Sequence, residues 1–571
     1  MKNFKLNLLL IAVATIVLSS CGGLSKMVEN AQTLDPKVNP NPLESVGGEV
    51  EVTVNVTFPE KYFNKKAIVT ATPILKYDGG QTEYEPTTLQ GESVEANNKV
   101  IPFAGGSYSY TGKIPYKSEM LKSQLVLEMT AQIGDKEPVN IPALPMATGV
   151  VATEMLVQVD PKGIAMGDKF ERVIPETYDA EILYVINKYN VRKTELKKDE
   201  VVELADKVKA ANENERVEIK GAKVSAYASP DGEVDLNTKL SDNRGKSAQS
   251  YLEKTLKKLK VAEADADDFL KVVTTAEDWD GFKKLMEESD IKDKELILRV
   301  LSMHSDPVVR EKEIKNIAEA FEEIKVSVLP ALRRSQMFID VDKVGYSDIE
   351  LDSLAKANPD TLNLEELLYA ATLTDDNAAK LAIYSKAAEK HPECVRVKNN
   401  IGYVQLAEGN VAEAKAAFEE AKAIKEIDIV KNNLGAVALI EGDLATAEQL
   451  FTSSMGAGDV VNYNLGIIKI KQGDYAAAVN YFGNKPSFNA GLAQVLNDET
   501  EKALGTLGQL EEDAMVAYLK AVAGARAGRE EVVLNNLRRA IELDGELKAH
   551  ALKDAEFRNF VASEGFAAIV E

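Results

Sequence analysis

The sequence predicts a multidomain α+β protein: an N-terminal β-sandwich, a central α/β sandwich with a helical insert, and a C-terminal α-solenoid of repeated helix pairs. Three observations carry this. The 571 residues exceed what one hydrophobic core organises. Period-two alternation dominates residues 49–133, whereas from 363 onward the pattern is helical and self-similar.

The N-terminus comes first. Lys2 and Lys5 precede an apolar run at 8–18 that is too short to span a bilayer, so residues 1–21 read as a signal peptide. Its end, Leu18-Ser19-Ser20-Cys21-Gly22, resembles the lipobox of bacterial lipoproteins. The resemblance implies that Cys21 becomes an N-terminus acylated with palmitate-type chains, several of which would anchor durably where one alone binds marginally. In some Gram-negative lineages lipoproteins bound for the cell surface carry a run of acids just after the Cys; here none follows Cys21 until Glu29, so the resemblance implies the periplasmic side of an outer membrane rather than the cell surface. Residues 22–44, with Pro36, Pro40 and Pro42, read as a tether.

The sandwich is assigned to 45–172. Glu51-Val52-Thr53-Val54-Asn55-Val56-Thr57-Phe58 alternates as a half-buried strand does, and similar runs recur at 67–77, 107–114 and 124–133. Gly79-Gly80 and Gly105-Gly106 punctuate them.

Residues 173–345 alternate strand and helix patterns: a strand at 180–189, a helix at 198–211, a strand at 216–228 with a bulge near Gly221, and a closing strand at 334–341. Tyr227-Ala228-Ser229-Pro230-Asp231-Gly232, followed by Asn237-x-x-Leu240-Ser241-x-x-Arg244, resembles the peptidoglycan-associating domain of the OmpA-like family. The resemblance implies a pocket for the stem peptide of peptidoglycan, in which Arg244 would meet the charged end of the diamino acid. Asn237, Ser229 and Asp231 complete the candidate ligand-binding set. The family's loop Asp falls on Ser229, and the acid present, Asp231, stands two residues later.

On its own pattern, Arg244 shares a helical arc with Leu240, Ala248, Tyr251, Leu252 and Leu259, which turns its guanidinium inward. An inward guanidinium calls for an anion, and a carboxylate fits its fork best; an internal salt bridge or a snorkelling stem is the other reading. A helical insert at 262–330 contains the chain's single Trp279, which is either a core anchor or a ligand platform.

The solenoid is assigned to 346–571. Asn399-Asn400-Ile401-Gly402, Asn432-Asn433-Leu434-Gly435 and Asn464-Leu465-Gly466 align, with glycines 33 and then 31 residues apart. Each is followed by a second glycine (Gly409, Gly442, Gly473), an alanine (Ala414, Ala447, Ala478) and a phenylalanine (Phe418, Phe451, Phe482). This resembles the tetratricopeptide repeat, with five or six units from about 363 to 547. The resemblance implies a concave face that holds extended peptides or a partner's helix. Asn399, Asn400, Asn432, Asn433 and Asn464 are candidate partner-binding residues, either as a ligand-clamping row or as helix caps and inter-helix glue.

With Cys21 assigned to lipid, only Cys394 remains, so no intramolecular disulfide is possible, and Cys394 reads as a small buried side chain. A net charge of −23 argues against nucleic acid. His304, His391 and His550 have no metal-ligand spacing, and no catalytic motif, cofactor site or metal site is expected. The reading is therefore a non-catalytic, periplasm-facing outer-membrane lipoprotein that binds peptidoglycan and protein partners in envelope organisation, assembly or secretion. The alternative is a surface-exposed glycan- or nutrient-binding lipoprotein.

Overall fold

The computed structural model describes residues 24–571, apart from the side chains of 318–320; Cys21 and the signal segment lie outside the described residues. The chain forms two compact units. One joins the residues up to 166 with His391–Glu571, and the other is Gly167–Lys390.

In the first unit, strands Glu49–Phe58, Ile68–Tyr77, Gly106–Pro115 and Ser123–Gln132 form where alternation predicts them. They belong to two sheets whose inward residues, among them Val52, Val54, Val56, Val69, Leu125 and Leu127, make one core. The tether expected at 22–44 is corrected over its described part. A short helix Ser25–Glu29 and strands Lys37–Asn39 and Leu43–Val46 pack on the sandwich. Leu24, Met27, Ala31 and Leu34 are buried in its core. At the other end, the last sandwich strand is Val150–Val151, so residues 152–172 do not extend the sandwich as expected.

The same unit contains five helix pairs among its described residues: Val395–Ala407 with Val411–Ile424, Asp428–Glu441 with Leu444–Thr452, Val460–Lys471 with Tyr475–Phe482, Phe488–Leu496 with Thr500–Leu507, and Ala514–Arg526 with Glu530–Leu543. The small residue in each first helix has a packing cause. A Cβ on Gly435 would lie 2.8 Å from the Phe451 ring, and one on Gly466 would lie 2.6 Å from Phe482. Gly442 closes its helix at φ +85°, a left-handed cap that a Cβ disfavours. Polar ties join array to sandwich: buried Glu154 accepts from Ser45 Oγ (2.6 Å), Gly47 N (2.7 Å), Gly48 N (2.9 Å) and Tyr475 OH (2.9 Å). Cys394 is half-buried rather than buried.

In the second unit a four-stranded sheet runs in the order Val173–Leu183, Arg334–Val344, Val217–Tyr227, Leu270–Thr275. Helices Asp199–Glu213 and Val234–Leu259 share its core through Val201, Leu204, Ala248, Leu252, Val224, Met337 and Ile339. The register shifts between Ile219 and Gly221, the bulge position. Three expectations are corrected. The first strand is Val173–Leu183, not 180–189. The 262–330 segment is not wholly helical, because Leu270–Thr275 pairs in parallel with Val217–Tyr227. The earliest repeat-like pair, Leu364–Ala370 with Asn377–Lys390, groups with this unit rather than with the array.

Candidate functional site

The five candidate asparagines lie within the first helices of their pairs, and none caps a helix N-terminus. Four are fully buried and Asn400 nearly so, and all five point at one extended stretch of the same chain, residues 157–166. Asn400 accepts from Met166 N (2.7 Å) and donates to Met166 O (2.8 Å). Asn433 does the same to Ile164 (2.7 and 2.8 Å), and Asn464 to Lys162 (2.7 and 3.0 Å). Each side-chain amide therefore acts as a neighbouring strand would, offering one acceptor and one donor to alternate residues of an extended backbone.

A second row braces the first. Asn399 donates to Ile164 O (3.0 Å) and Asn432 to Lys162 O (3.1 Å). Asn433 donates to Asn399 Oδ1 (2.8 Å), and Asn464 to Asn432 Oδ1 (3.0 Å), so the amides of successive repeats are cross-linked. Asn489 was missed by the sequence reading although it stands two residues before Gly491, the spacing of Asn400 to Gly402. It clamps Gln158 N (2.9 Å) and O (2.8 Å). Between Asn489 and Asn464 the ladder steps four residues instead of two, and Asp160 fills the gap, accepting from Tyr463 OH (2.7 Å) and Asn489 Nδ2 (3.2 Å).

The ladder reads backbone, and few side chains add to it. Met166 is buried among Ala414, Phe418, Ala421 and Leu434, while Leu156 and Val157 pack on the array at the other end. At Gly163 a Cβ would lie 3.3 Å from Tyr403 and 3.4 Å from Leu406, so the strand runs close to the helices there. Gln158, Val159, Lys162 and Ala165 are exposed.

The second candidate site lies in the other unit. The fold brings Ser229, Asp231, Asn237 and Arg244 together. Asn237 Nδ2 closes the loop by donating to Ser229 O (3.1 Å) and Gly232 O (3.0 Å). Arg244, expected to meet an anion, is 1% exposed and donates instead to two carbonyls, Lys188 O (3.1 Å) and Tyr227 O (2.8 Å), with its guanidinium 5.3 Å from the Tyr184 ring. Burial pushes its pKa down to about 10.

Asp231 is engaged by Arg333 (3.2 Å) and by the Ser229 hydroxyl, which also accepts from Arg333 Nε (3.2 Å). The next residue, Arg334, pairs with buried Asp278 (2.6 Å), which also caps the helix Trp279–Glu288 at Gly281 N. Arg333, Arg334 and Asp278 carry no sequence motif and were not anticipated. Trp279 packs on the insert's own cluster with Phe282, Met286 and Leu329. The insert leaves a space of about 10 Å³ beside Pro230 and Asp231, room for one water at most. An open depression of about 400 Å³ lies near the loop that holds Arg244, lined by Tyr189, Asn190, Asn243, Lys246, Ser247 and Ser250.

Among the described residues no helix is long and apolar enough to cross a membrane, and no cluster of His, Cys, Asp and Glu has the arrangement of a metal site.

Comparison with known proteins agrees with the helical geometry. The tetratricopeptide-repeat family model matches residues 395–428, the first helix pair of the array. No match was found among curated proteins. Similar solved structures include YrrB, described as a TPR protein with an unusual peptide-binding site (21% identity, 30% of this chain and 97% of that one, TM-score 0.26). A tetratricopeptide repeat protein from Parabacteroides merdae has 13% identity over 37% of this chain and 91% of that one, TM-score 0.28. Yeast Tom70 has 13% identity over 65% and 87%, TM-score 0.26. The molecule is thus a mixed α+β chain with an N-terminal sheet region and a C-terminal tetratricopeptide-type array. Such an array is a protein-interaction architecture.

Proposed function

We propose that this chain is a non-catalytic, lipid-anchored scaffold of the bacterial envelope, attached through Cys21 to the periplasmic side of the outer membrane, whose array engages polypeptide. The carrying observation is the asparagine ladder, a row of buried amides placed to hydrogen-bond an extended backbone. The lipobox-like sequence supports the anchor. Only two residues separate Cys21 from the buried Leu24, and three chain steps reach about 10 Å, so an acylated Cys21 would hold the sandwich against the bilayer surface.

In this reading the Gly167–Lys390 unit acts as an OmpA-like module; the motif at 227–244 and the convergence of Ser229, Asp231, Asn237 and Arg244 between strand Val217–Tyr227 and helix Val234–Leu259 are what support a cell-wall contact there. A stem peptide would have to displace Arg333 from Asp231 to enter. Two measurements test the proposal. Mass spectrometry of the native chain should find acyl groups on Cys21, and an unmodified thiol would refute the anchor. Sedimentation with purified sacculi should retain the chain and release the Asp231→Ala variant; equal behaviour of the two would remove peptidoglycan from the reading and leave the scaffold role to the array.

A further inference from the structure

The array's groove is already filled, and the filling polypeptide belongs to the chain itself. Four asparagines hold residues 158, 162, 164 and 166 by main-chain atoms, and of the four Asn489 alone adds a bond to a strand side chain, Asp160 Oδ1, so the other three clamps do not distinguish this strand from another. The strand contributes one deeply buried side chain in this stretch, Met166, and turns Gln158, Val159, Lys162 and Ala165 to solvent. The ladder cannot stand empty without cost, because its amides are buried and would lose their partners. An occupant is therefore required, while its sequence is loosely specified.

We propose that residues 157–166 are an internal ligand that keeps this groove closed, and that the groove's ligand in trans is an extended segment of a partner polypeptide, read through its backbone. That segment would carry an apolar side chain at the Met166 position and a small residue at the Gly163 position. The inference rests on the scaffold reading and adds to it the partner's class and its control. A tethered strand competes at an effective concentration of about millimolar, so a free segment gains access only when the strand is loosened or the partner is itself held close. Met166 ends the first unit and Gly167 begins the second, so the strand's C-terminal end is where the chain passes from one compact part to the other.

The test uses the full chain and a fluorescent peptide with the sequence of residues 155–168, read by anisotropy. Wild-type chain should bind it only weakly. The double variant Lys162→Pro, Ile164→Pro removes the amide hydrogens that Asn464 and Asn433 accept while leaving the ladder intact, and should bind the peptide at least about tenfold more tightly, the margin expected when a millimolar competitor is withdrawn. Adding Asn433→Ala and Asn464→Ala should abolish that gain.

Equal weak binding by wild type and proline variant, with array helicity unchanged by circular dichroism, would overturn the proposal, as would binding that survives loss of the asparagines. Should the proline variant not fold, amide hydrogen exchange on the wild-type chain decides: millimolar peptide should speed exchange at Lys162, Ile164 and Met166, and unchanged rates would count against it. Wild-type dimers that the asparagine variants abolish would assign the groove to a second copy of the chain and refute a foreign partner. A partner that co-purifies equally with wild type and ladder variants would likewise sink this inference while leaving the scaffold reading intact.

Discussion

At the scale of single residues, Asn433 both clamps the strand and braces the row: it accepts from Ile164 N and donates to Ile164 O and Asn399 Oδ1. A neutral bond contributes about 1 kcal/mol net, and a buried group left unpaired costs about 1–3 kcal/mol, so Asn433→Ala should lower unfolding free energy by roughly 2–4 kcal/mol in urea titration. Asn433→Asp should be worse than Ala, because it keeps the acceptor but sets a buried negative charge against a carbonyl and an amide oxygen. The exposed Asn410→Ala should change stability by less than about 0.5 kcal/mol. Gly466→Ala, whose Cβ would press on the buried Phe482 ring, should cost about 1–3 kcal/mol by overpacking in the same assay.

Much of this was legible: the Asn-x-Gly spacing marked the row, and the glycine and phenylalanine pairing marked the close approach. Sequence could not say what the asparagines hold, because residues 158–166 show neither period two nor period 3.6. Arg244 was legible as an inward residue. Its carbonyl partners were not, since backbone acceptors leave no trace in residue identity.

Among the elements, the segment that begins at Leu24 illustrates how composition can mislead. Its prolines suggested a tether, yet Leu24, Met27, Ala31 and Leu34 recur at helical spacing and are 1%, 1%, 0% and 5% exposed in the sandwich core. Burying a Leu or Met side chain contributes about 1.5–3 kcal/mol, so a chain beginning at residue 36 should lose several kcal/mol and melt at a visibly lower temperature than one beginning at residue 24. A passive tether would leave the melting curve where it was. The first strand of the second unit was misplaced for a related reason. Val173 to Thr177 lie on a sheet edge, exposed throughout, and give no alternation, while Val185, Ile186 and Tyr189 look strand-like but are exposed in the loop that follows. Edge strands and apolar loops carry the wrong burial signal, whereas central strands such as Val217–Tyr227 could be read to within a residue.

For the whole molecule, linear order and spatial order differ. The sequence suggested three successive modules, but residues up to 166 fold with His391–Glu571, and the residues that intervene in the chain, Gly167–Lys390, form a compact unit of their own. The joining is specific. Glu154 ties the sandwich's Ser45, Gly47 and Gly48 to Tyr475 of the array, Arg526 pairs with Glu44 (3.2 Å) and Glu556 (2.7 Å), and the clamped strand fills the groove. Pairing of segments more than 200 residues apart cannot be read from local pattern, which is why the division went unseen. If the inserted body folds independently, a chain in which 167–390 is replaced by a flexible bridge of about ten residues should still unfold cooperatively, as insertions between compact units usually permit. The array expressed alone, as 391–571, lacks both the strand and the sandwich face, so its buried asparagines lose their partners and its transition should come at lower denaturant. Adding the 155–168 peptide should restore part of that loss in proportion to its concentration, by mass action on the folded state. A bridged chain that fails to fold would refute the independence of the inserted body, and an isolated array as stable as the bridged chain would show that the strand and sandwich do not complete the array.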